Sequence, residues 1–225
     1  MADKLNARGQ NLARFLEEYD ASRYERPSVT VDMAVFTTDG RLLLIKRADH
    51  PNIGSWALPG GFMNMDETPY QAACRELMEE TGVNTELEHL GAYAEPSRDP
   101  RTRIVTLAFY TLARAEELAV QAGDDAADAR LFRYSLETNG DVEIPEKTGE
   151  YPDMRYPVTA FGAPLPSKGE GWTLTLENGR DTLSARLAVC GKTGVLLRGT
   201  AKPEHGTIAG DHPLIIFDAI RRLKA

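Results

Sequence analysis

Apolar and polar residues recur with two different periods along the chain, and each period predicts a type of element. Near the N-terminus, apolar side chains at helical spacing predict a helix over residues 5–20. From Val29 to Val35 apolar and polar residues alternate, which predicts a half-buried strand. The Asp39-Gly40 pair predicts a hairpin turn, and RLLLIKR at residues 41–47 predicts the returning strand. Further strands are expected at about 88–95, 103–114 and 129–134.

A second helix is expected between Thr68 and Gly82, because residues that start and stop helices stand at both ends. Thr68 fits the N-cap, Pro69 fits the first helical position, and Gln71 completes a capping box. Gly82 supplies the C-terminal stop. The side of this helix expected to pack on the sheet carries Tyr70, Cys74, Leu77, Met78 and Thr81.

The chain changes character after about residue 137. Prolines and glycines crowd the first part of this stretch, and two alternating segments that flank Asn178-Gly179 predict a β-hairpin. An amphipathic helix is then expected to begin near Asp211.

Charge and composition exclude several classes of function. The chain has 26 Lys and Arg against 34 Asp and Glu, a net charge of −8, so neither nucleic acid nor a membrane is an expected partner. No apolar run approaches the roughly 18 residues of a membrane span, and the N-terminus lacks the apolar core of a signal peptide. Cys74 and Cys190 are too few for a disulfide framework, so a cytoplasmic location is expected.

The second predicted helix carries the clearest chemistry. At 100° per residue, Glu76, Glu79 and Glu80 fall within an arc of about 100°. Like charges this close repel one another unless a cation is bound. Three carboxylates without a cysteine or histidine suit a hard ion such as Mg²⁺, with Mn²⁺ as the alternative. A glutamate-rich helix face by itself is usually solvated surface, so the wider pattern decides between the two interpretations.

That wider pattern runs from Gly61 to Val83. It reads Gly-x5-Glu-x7-Arg-Glu-U-x-Glu-Glu-x-Gly-U, where U is aliphatic, and every position matches. Seven fixed residues match by chance on the order of 10⁻⁸ per starting point. The segment is a Nudix box, and the sequence resembles the Nudix hydrolases. Segments outside the box are similar to the ADP-ribose pyrophosphatase branch of that family, namely residues 30–47, 55–61, 95–110 and 124–132.

The resemblance implies an α/β fold, a Nudix-type α/β/α sandwich around a mixed β-sheet, with a β-rich insertion before the C-terminal helix. Residues 1–27 are then an N-terminal helical segment, and residues 28–136 and 207–225 form the Nudix domain. Residues 137–206 form a Pro/Gly-rich and β-hairpin insertion. An alternative is that this insertion is a protein-interaction or dimerisation device. The amphipathic N-terminal helix needs a surface to cover, so a homodimer is expected.

The resemblance also implies a metal site and a catalytic set that share residues. The implied metal ligands are Glu76, Glu79, Glu80 and the carbonyl group of Gly60. The implied catalytic residues are Glu76, Glu79, Glu80, Arg75 and Asp125. Asp124 is the alternative to Asp125 as the carboxylate that assists from a later loop, and Glu116 and Glu117 are less favoured. Glu67 and Arg75 are expected to brace the box by pairing with each other or with the metal-binding glutamates.

The implied substrate is a nucleoside diphosphate linked to another moiety, and the favoured reaction converts ADP-ribose to AMP and ribose 5-phosphate. The residues expected to bind the substrate are Arg47 and Arg98, through phosphate or ribose, and Trp56 and Phe62, through adenine. Pro96 and Pro100 bracket the position of a proline that is usual in ADP-ribose-cleaving relatives, without occupying it. The alternatives are a pyrophosphatase for a dinucleotide, a nucleotide sugar or an oxidised nucleoside triphosphate, and a non-catalytic ADP-ribose-sensing regulator.

Overall fold

A long β-sheet with helices on both faces forms the fold. The computed structural model describes residues 4–96, 98–118, 126–144, 167–190, 193–197 and 206–224. The helices are α1 (Leu12–Glu17), α2 (Pro69–Thr81) and α3 (His212–Leu223). The strands are β1 (Ser28–Thr37), β2 (Arg41–Arg47), β3 (Trp56–Ala57), β4 (Gly60–Phe62), β5 (Glu88–Tyr93), β6 (Ile104–Ala113), β7 (Ala126–Glu143), β8 (Lys168–Glu177), β9 (Thr182–Cys190) and β10 (Thr193–Leu197). Within these described ranges, every helix is too short or too polar to cross a bilayer.

The sheet is mixed, because one parallel pair lies within an otherwise antiparallel order. Its strands follow the order β10-β9-β8-β7-β2-β1-β6-β5, with β3 paired to β2 and β4 paired to β1. β1 and β6 run parallel along their whole lengths. A parallel pair needs a long connection, and α2 lies in that connection. The predicted α/β sandwich around a mixed sheet is confirmed.

Alternate residues of β1 supply the two halves of the core. Val31 and Met33 pack in a cluster with α2, whereas Ala34 and Phe36 pack in a cluster with α3. β1 is therefore buried on both faces, so the prediction of a half-buried strand was wrong. The alternation predicts that the face with polar residues is exposed to solvent. Asp32, which lies on that face, is only 7% exposed.

α2 begins and ends as the sequence predicts, but its buried side differs. The Thr68 and Gln71 side chains form the capping box, and Gly82 adopts the left-handed conformation with φ 69°. Tyr70 and Met78, which were expected to pack on the sheet, are 44% and 45% exposed. Small alanines let the helix approach the sheet closely, and they take the place of these larger residues. The buried residues of α2 are Ala72, Ala73, Leu77, Glu80 and Thr81.

The N-terminal segment forms the short helix α1 and not the predicted helix over residues 5–20. The Asn6 side chain accepts two backbone N–H groups and forms a turn, and Asn11 caps α1 by accepting the N–H of Arg14. Such side chains compete with helical backbone bonds, which explains the shorter helix. No side chain of α1, all of which the structure describes, is buried. The exposed apolar residues of this segment are Leu5, Leu12, Phe15, Leu16, Tyr19 and Tyr24.

The strands that follow residue 137 continue the same sheet. β7 is 18 residues long and passes without a break through residue 136, and β8 pairs with it. β8 and β9 form the hairpin predicted at Asn178-Gly179, where Gly179 has φ 82°. Leu174 and Leu176 of β8 are fully buried in the cluster that includes α3. Much of the Pro/Gly-rich stretch lies outside the described residues, and the extent of the insertion stays a prediction.

Candidate active site

A cleft of about 610 Å³ lies between α2, β1, the loops that follow β2 and precede β6, and the start of α3. It brings together side chains of the Nudix box and side chains that are distant from the box in sequence. Of the residues predicted for the site, the cleft is lined by Arg47, Gly60, Phe62, Arg75, Glu76, Glu80 and Arg98.

Two glycines bring the backbone of β4 close to the carboxylates of α2. A Cβ atom on Gly61 would lie 2.3 Å from Glu76 Oε1, and one on Gly60 would lie 2.2 Å from the carbonyl oxygen of Val31. The Gly60 N–H donates a hydrogen bond to Glu80 Oε2 at 2.8 Å. A Cβ at Gly60 would collide with the backbone of β1, and a Cβ at Gly61 would displace the Glu76 carboxylate, so glycine at both positions preserves this arrangement.

Glu76 and Glu80 are poorly solvated carboxylates. Glu80 is 9% exposed, and burial raises its pKa to about 8. Burial also raises the pKa of Glu76, and the charge of Glu76 adds to the rise at Glu80. The single N–H from Gly60 offsets only part of the cost of burying this charge. A divalent cation would balance the negative charge of the two carboxylates, and carboxylate oxygens are ligands that Mg²⁺ prefers.

Arg75 ties the loop that precedes α2 to the helix. Its Nε and Nη2 donate to the two carboxylate oxygens of Glu67, at 3.0 and 2.7 Å. Its Nη1 donates to Glu76 at 2.8 Å and Glu79 at 3.0 Å, and Nη2 also donates to the carbonyl oxygen of Phe62 at 3.1 Å. The bonds from Arg75 lower the pKa of Glu67 to about 2. The pairing expected between Glu67 and Arg75 is therefore present, and it holds the box together.

Glu79 is more exposed than the other two glutamates. Its side chain is 58% exposed, and its carboxylate pairs with Arg75 at 3.0 Å. Within the described ranges, no three Asp, Glu, His or Cys side chains are arranged to hold a metal ion. Glu76 and Glu80 alone would leave other coordination positions to water and substrate phosphates, which is usual for Mg²⁺. Asp125, and its alternative Asp124, lie outside the described residues.

The other residues predicted to bind the substrate have different surroundings. Arg47 lines the cleft, and its Nε donates to a backbone carbonyl oxygen at 2.7 Å. Phe62 is 45% exposed, and the guanidinium of Arg101 lies 5.3 Å from its ring centre. Trp56 is 1% exposed and packs edge-on against Phe132. Phe62 therefore offers an accessible ring in the cleft, whereas Trp56 belongs to the core.

The cleft has a second polar wall, of which the sequence predicted only Arg98. Nε and Nη2 of Arg98 donate to the two oxygens of Asp211, at 2.9 and 2.7 Å, and Nη1 donates to Thr106 Oγ1 at 2.6 Å. The backbone N–H of Leu58 donates to His212 Nδ1 at 2.9 Å. Three nitrogens of Arg98 are thus bonded within the protein, and its predicted contact with substrate stays a prediction.

Local signals for this second wall exist in the sequence, but they are weak. Thr30 and Asp32 interrupt an apolar strand, and Asp211-His212 precede a proline at a helix start. Alternation and capping rules assign such residues to solvent or to a helix end. Only the packing of α3 on β1 brings them together.

Comparison with known proteins identifies relatives over much of the chain. The model of the NUDIX domain matches residues 26–149. A protein named ADP-ribose pyrophosphatase, from Methanocaldococcus jannaschii, is 38% identical over 133 residues, which are 57% of this chain and 77% of the relative. A protein named ADPR responsive transcriptional repressor NtrR, from Acinetobacter baylyi, is 39% identical over 104 residues, 44% of this chain and 42% of the relative.

Solved structures show the same similarity. A MutT/nudix family protein from Enterococcus faecalis superposes with a TM-score of 0.64 at 29% identity, covering 96% of this chain and 71% of that one. The NUDIX domain of Shewanella oneidensis NrtR, complexed with ADP ribose, has a TM-score of 0.50 at 32% identity, covering 54% of this chain and 82% of that one. The family model spans more than half of the residues, and the resemblance seen in the box is confirmed: the chain belongs to the NUDIX domain family.

Proposed function

We propose that this protein is a Mg²⁺-dependent pyrophosphatase that hydrolyses ADP-ribose to AMP and ribose 5-phosphate. The pair of Glu76, which is half-buried, and Glu80, which is buried, faces the cleft of a NUDIX domain and carries the proposal. These two carboxylates are the proposed ligands, with the Gly60 carbonyl as a further ligand and Glu79 in support. When bound, a divalent ion, Mg²⁺ or alternatively Mn²⁺, would neutralise charge on the diphosphate oxygens and lower the pKa of a water molecule.

Two observations support ADP-ribose as the substrate. The relative from M. jannaschii carries the name ADP-ribose pyrophosphatase, and the similar NrtR domain was solved with ADP ribose. The cleft also offers the accessible ring of Phe62 and the cationic side chains of Arg47 and Arg101. A ring and guanidinium groups suit a ligand that combines a flat base with phosphates.

The first prediction concerns the substrate. In a screen of nucleoside diphosphate derivatives with Mg²⁺, ADP-ribose is expected to be cleaved fastest, with AMP and ribose 5-phosphate identified by mass spectrometry. Dinucleotides, nucleotide sugars and an oxidised nucleoside triphosphate serve as competing substrates. Faster cleavage of any of these would contradict ADP-ribose as the substrate, but it would still support the activity of a Nudix hydrolase.

A second candidate function is an ADP-ribose-sensing regulator without catalysis. The similarity to the A. baylyi repressor favours it. The retained carboxylates of Glu76 and Glu80, and the net charge of −8, favour the enzyme. A duplex-DNA binding measurement at physiological salt separates the two, because sequence-specific binding would support the regulator.

The second prediction compares two glutamates of the box. Glu80→Gln is expected to lower turnover at saturating Mg²⁺ by about 10²–10⁴, because it removes a charge that faces the proposed metal. Glu67→Gln weakens the ion pair with Arg75 and is expected to lower turnover less than Glu80→Gln does. Circular dichroism should show Glu80→Gln folded, since glutamine keeps the shape of the side chain and its amide oxygen can still accept the Gly60 N–H. If Glu80→Gln stays within a few-fold of wild type, the metal does not bind to this part of α2.

The third prediction tests the close approach of β4 to α2. Gly61→Ala places a Cβ against the Glu76 carboxylate and is expected to displace it, with a loss of about 10² in turnover. Gly91→Ala is the matched control, because a Cβ at Gly91 meets no atom within 4 Å. Turnover and melting temperature are measured for both variants. Equal activity of the two would show that the position of Glu76 does not matter.

The fourth prediction concerns assembly. We propose a homodimer in which the exposed apolar residues of α1 are covered by a second copy. We also propose a cytoplasmic location, because the free Cys74 and Cys190 suit a reducing compartment. Light scattering at micromolar concentration is expected to give about twice the 24.8 kDa of one chain. Leu16→Glu, on the exposed side of α1, is expected to return the mass to that of one chain. A wild-type mass near 24.8 kDa would contradict the dimer.

A further inference from the structure

Asp32 is a buried carboxylate in the cleft that accepts no hydrogen bond from the described part of the chain. It is 7% exposed and lines the cleft. Its cationic neighbours stand further off, since Arg98 Nη2 lies 3.8 Å from Oδ2 and His212 Nε2 lies 3.9 Å from Oδ1. Both separations exceed the length of a hydrogen bond. A buried carboxylate in this environment is stabilised when another group donates to it.

His212 stands beside Asp32, and the backbone determines which ring nitrogen carries the proton. Its Nδ1 accepts the N–H of Leu58 at 2.9 Å, so the hydrogen of the neutral ring lies on Nε2. Nε2 is the atom 3.9 Å from Asp32 Oδ1. The two side chains therefore present one donor and one acceptor next to each other in the cleft.

Both residues are held on rigid elements. Asp32 lies within β1, where it pairs with Gly60 of β4 and Ala108 of β6. His212 begins α3, and the preceding Asp211 is fixed by its two bonds from Arg98. The separation between Asp32 and His212 is therefore set by the fold, and such preorganised groups lose little freedom when a ligand binds.

We propose that Asp32 and His212 together recognise a hydroxyl group on the sugar of the substrate. The hydroxyl donates to Asp32 Oδ1 and accepts from the N–H at His212 Nε2. An oxygen about 2.8 Å from each atom spans their separation. The proposal rests on the proposed function, because ADP-ribose supplies ribose hydroxyls beside its diphosphate. Asp32 also adjoins Gly60, whose N–H bonds Glu80, so the hydroxyl would lie next to the proposed metal ligands.

A hydroxyl suits this pair better than an ion does. The N–H at His212 Nε2 and the guanidinium of Arg98 both approach Asp32, and they disfavour a metal cation in the same space. The negative charge of Asp32 disfavours a phosphate. A hydroxyl group is both donor and acceptor, so it satisfies the two side chains at once.

The test measures binding of ADP-ribose and of analogues that each lack one ribose hydroxyl. Calorimetric titrations use metal-chelated protein, so that binding is separated from hydrolysis. For wild type, loss of one particular hydroxyl is expected to weaken binding about 10- to 100-fold. The Asp32→Ala and His212→Asn variants are expected to lose this discrimination. For each variant, the affinities for that analogue and for ADP-ribose should differ by no more than about threefold. His89→Asn, at an exposed position on β5, is the control, and it should discriminate between ADP-ribose and that analogue as wild type does.

His212→Asn also separates recognition from folding. The Asn side-chain oxygen takes the place of Nδ1 and can still accept the Leu58 N–H, but it carries no group at the Nε2 position. An unchanged melting temperature with lost discrimination supports the proposal. Retained discrimination in both variants overturns it, as does a wild type that binds every analogue equally or binds no ADP-ribose.

Hydrolysis of the same ligands with Mg²⁺ distinguishes this inference from the proposed function. Hydroxyl-dependent binding without hydrolysis would contradict the pyrophosphatase and support the recognition site. Hydrolysis of ADP-ribose without any hydroxyl dependence would support the pyrophosphatase and overturn the recognition site.

Discussion

The close packing of α2 carboxylates against a side-chain-free backbone is the constraint on which the site depends. Beside Gly60 and Gly61, Glu80 is buried and Glu76 is half-buried, and burial raises the pKa of both carboxyl groups. A buried charge of this kind is unfavourable unless a cation or donor compensates it. Arg75, which also lies on α2, supplies part of that compensation to Glu76. The cost that remains favours binding of a divalent ion, so the raised pKa values and the proposed activity have one physical origin.

The C-terminal helix completes the cleft from a distant part of the sequence. Asp211 and His212 connect the start of α3 to Arg98 and to the backbone of Leu58. A buried ion pair such as Arg98–Asp211 contributes little as a pair, but removal of one partner typically costs about 3–5 kcal/mol. Because the pair is costly to break, it holds the loop that contains Arg98 and the start of α3 in one arrangement. The result is a polar wall opposite the box, with Asp32 between the two.

Sheet and helix packing explain why the C-terminal strands belong to the same core. Leu174 and Leu176 of β8 pack in the cluster that α3 covers, so the hairpin and the helix stabilise each other. The N-terminal helix α1 differs, because its apolar residues face solvent in the single chain. An exposed apolar surface of this kind is a feature of interaction sites, and it is the basis of the homodimer that we propose.

Interactions between residues close in sequence could be predicted without the structure. The capping box of α2, the Asn178-Gly179 hairpin, the spacing of Glu76 and Glu80, and the Glu67–Arg75 pairing all depend on local geometry or on a fixed motif. The tertiary structure alone decided which polar residues became buried. It brought Asp32 to His212 and Arg98 to Asp211, placed Trp56 in the core, and turned the alanines of α2 to the sheet. Periodicity records the preference of each segment for one face, whereas these contacts depend on which segments pack against each other.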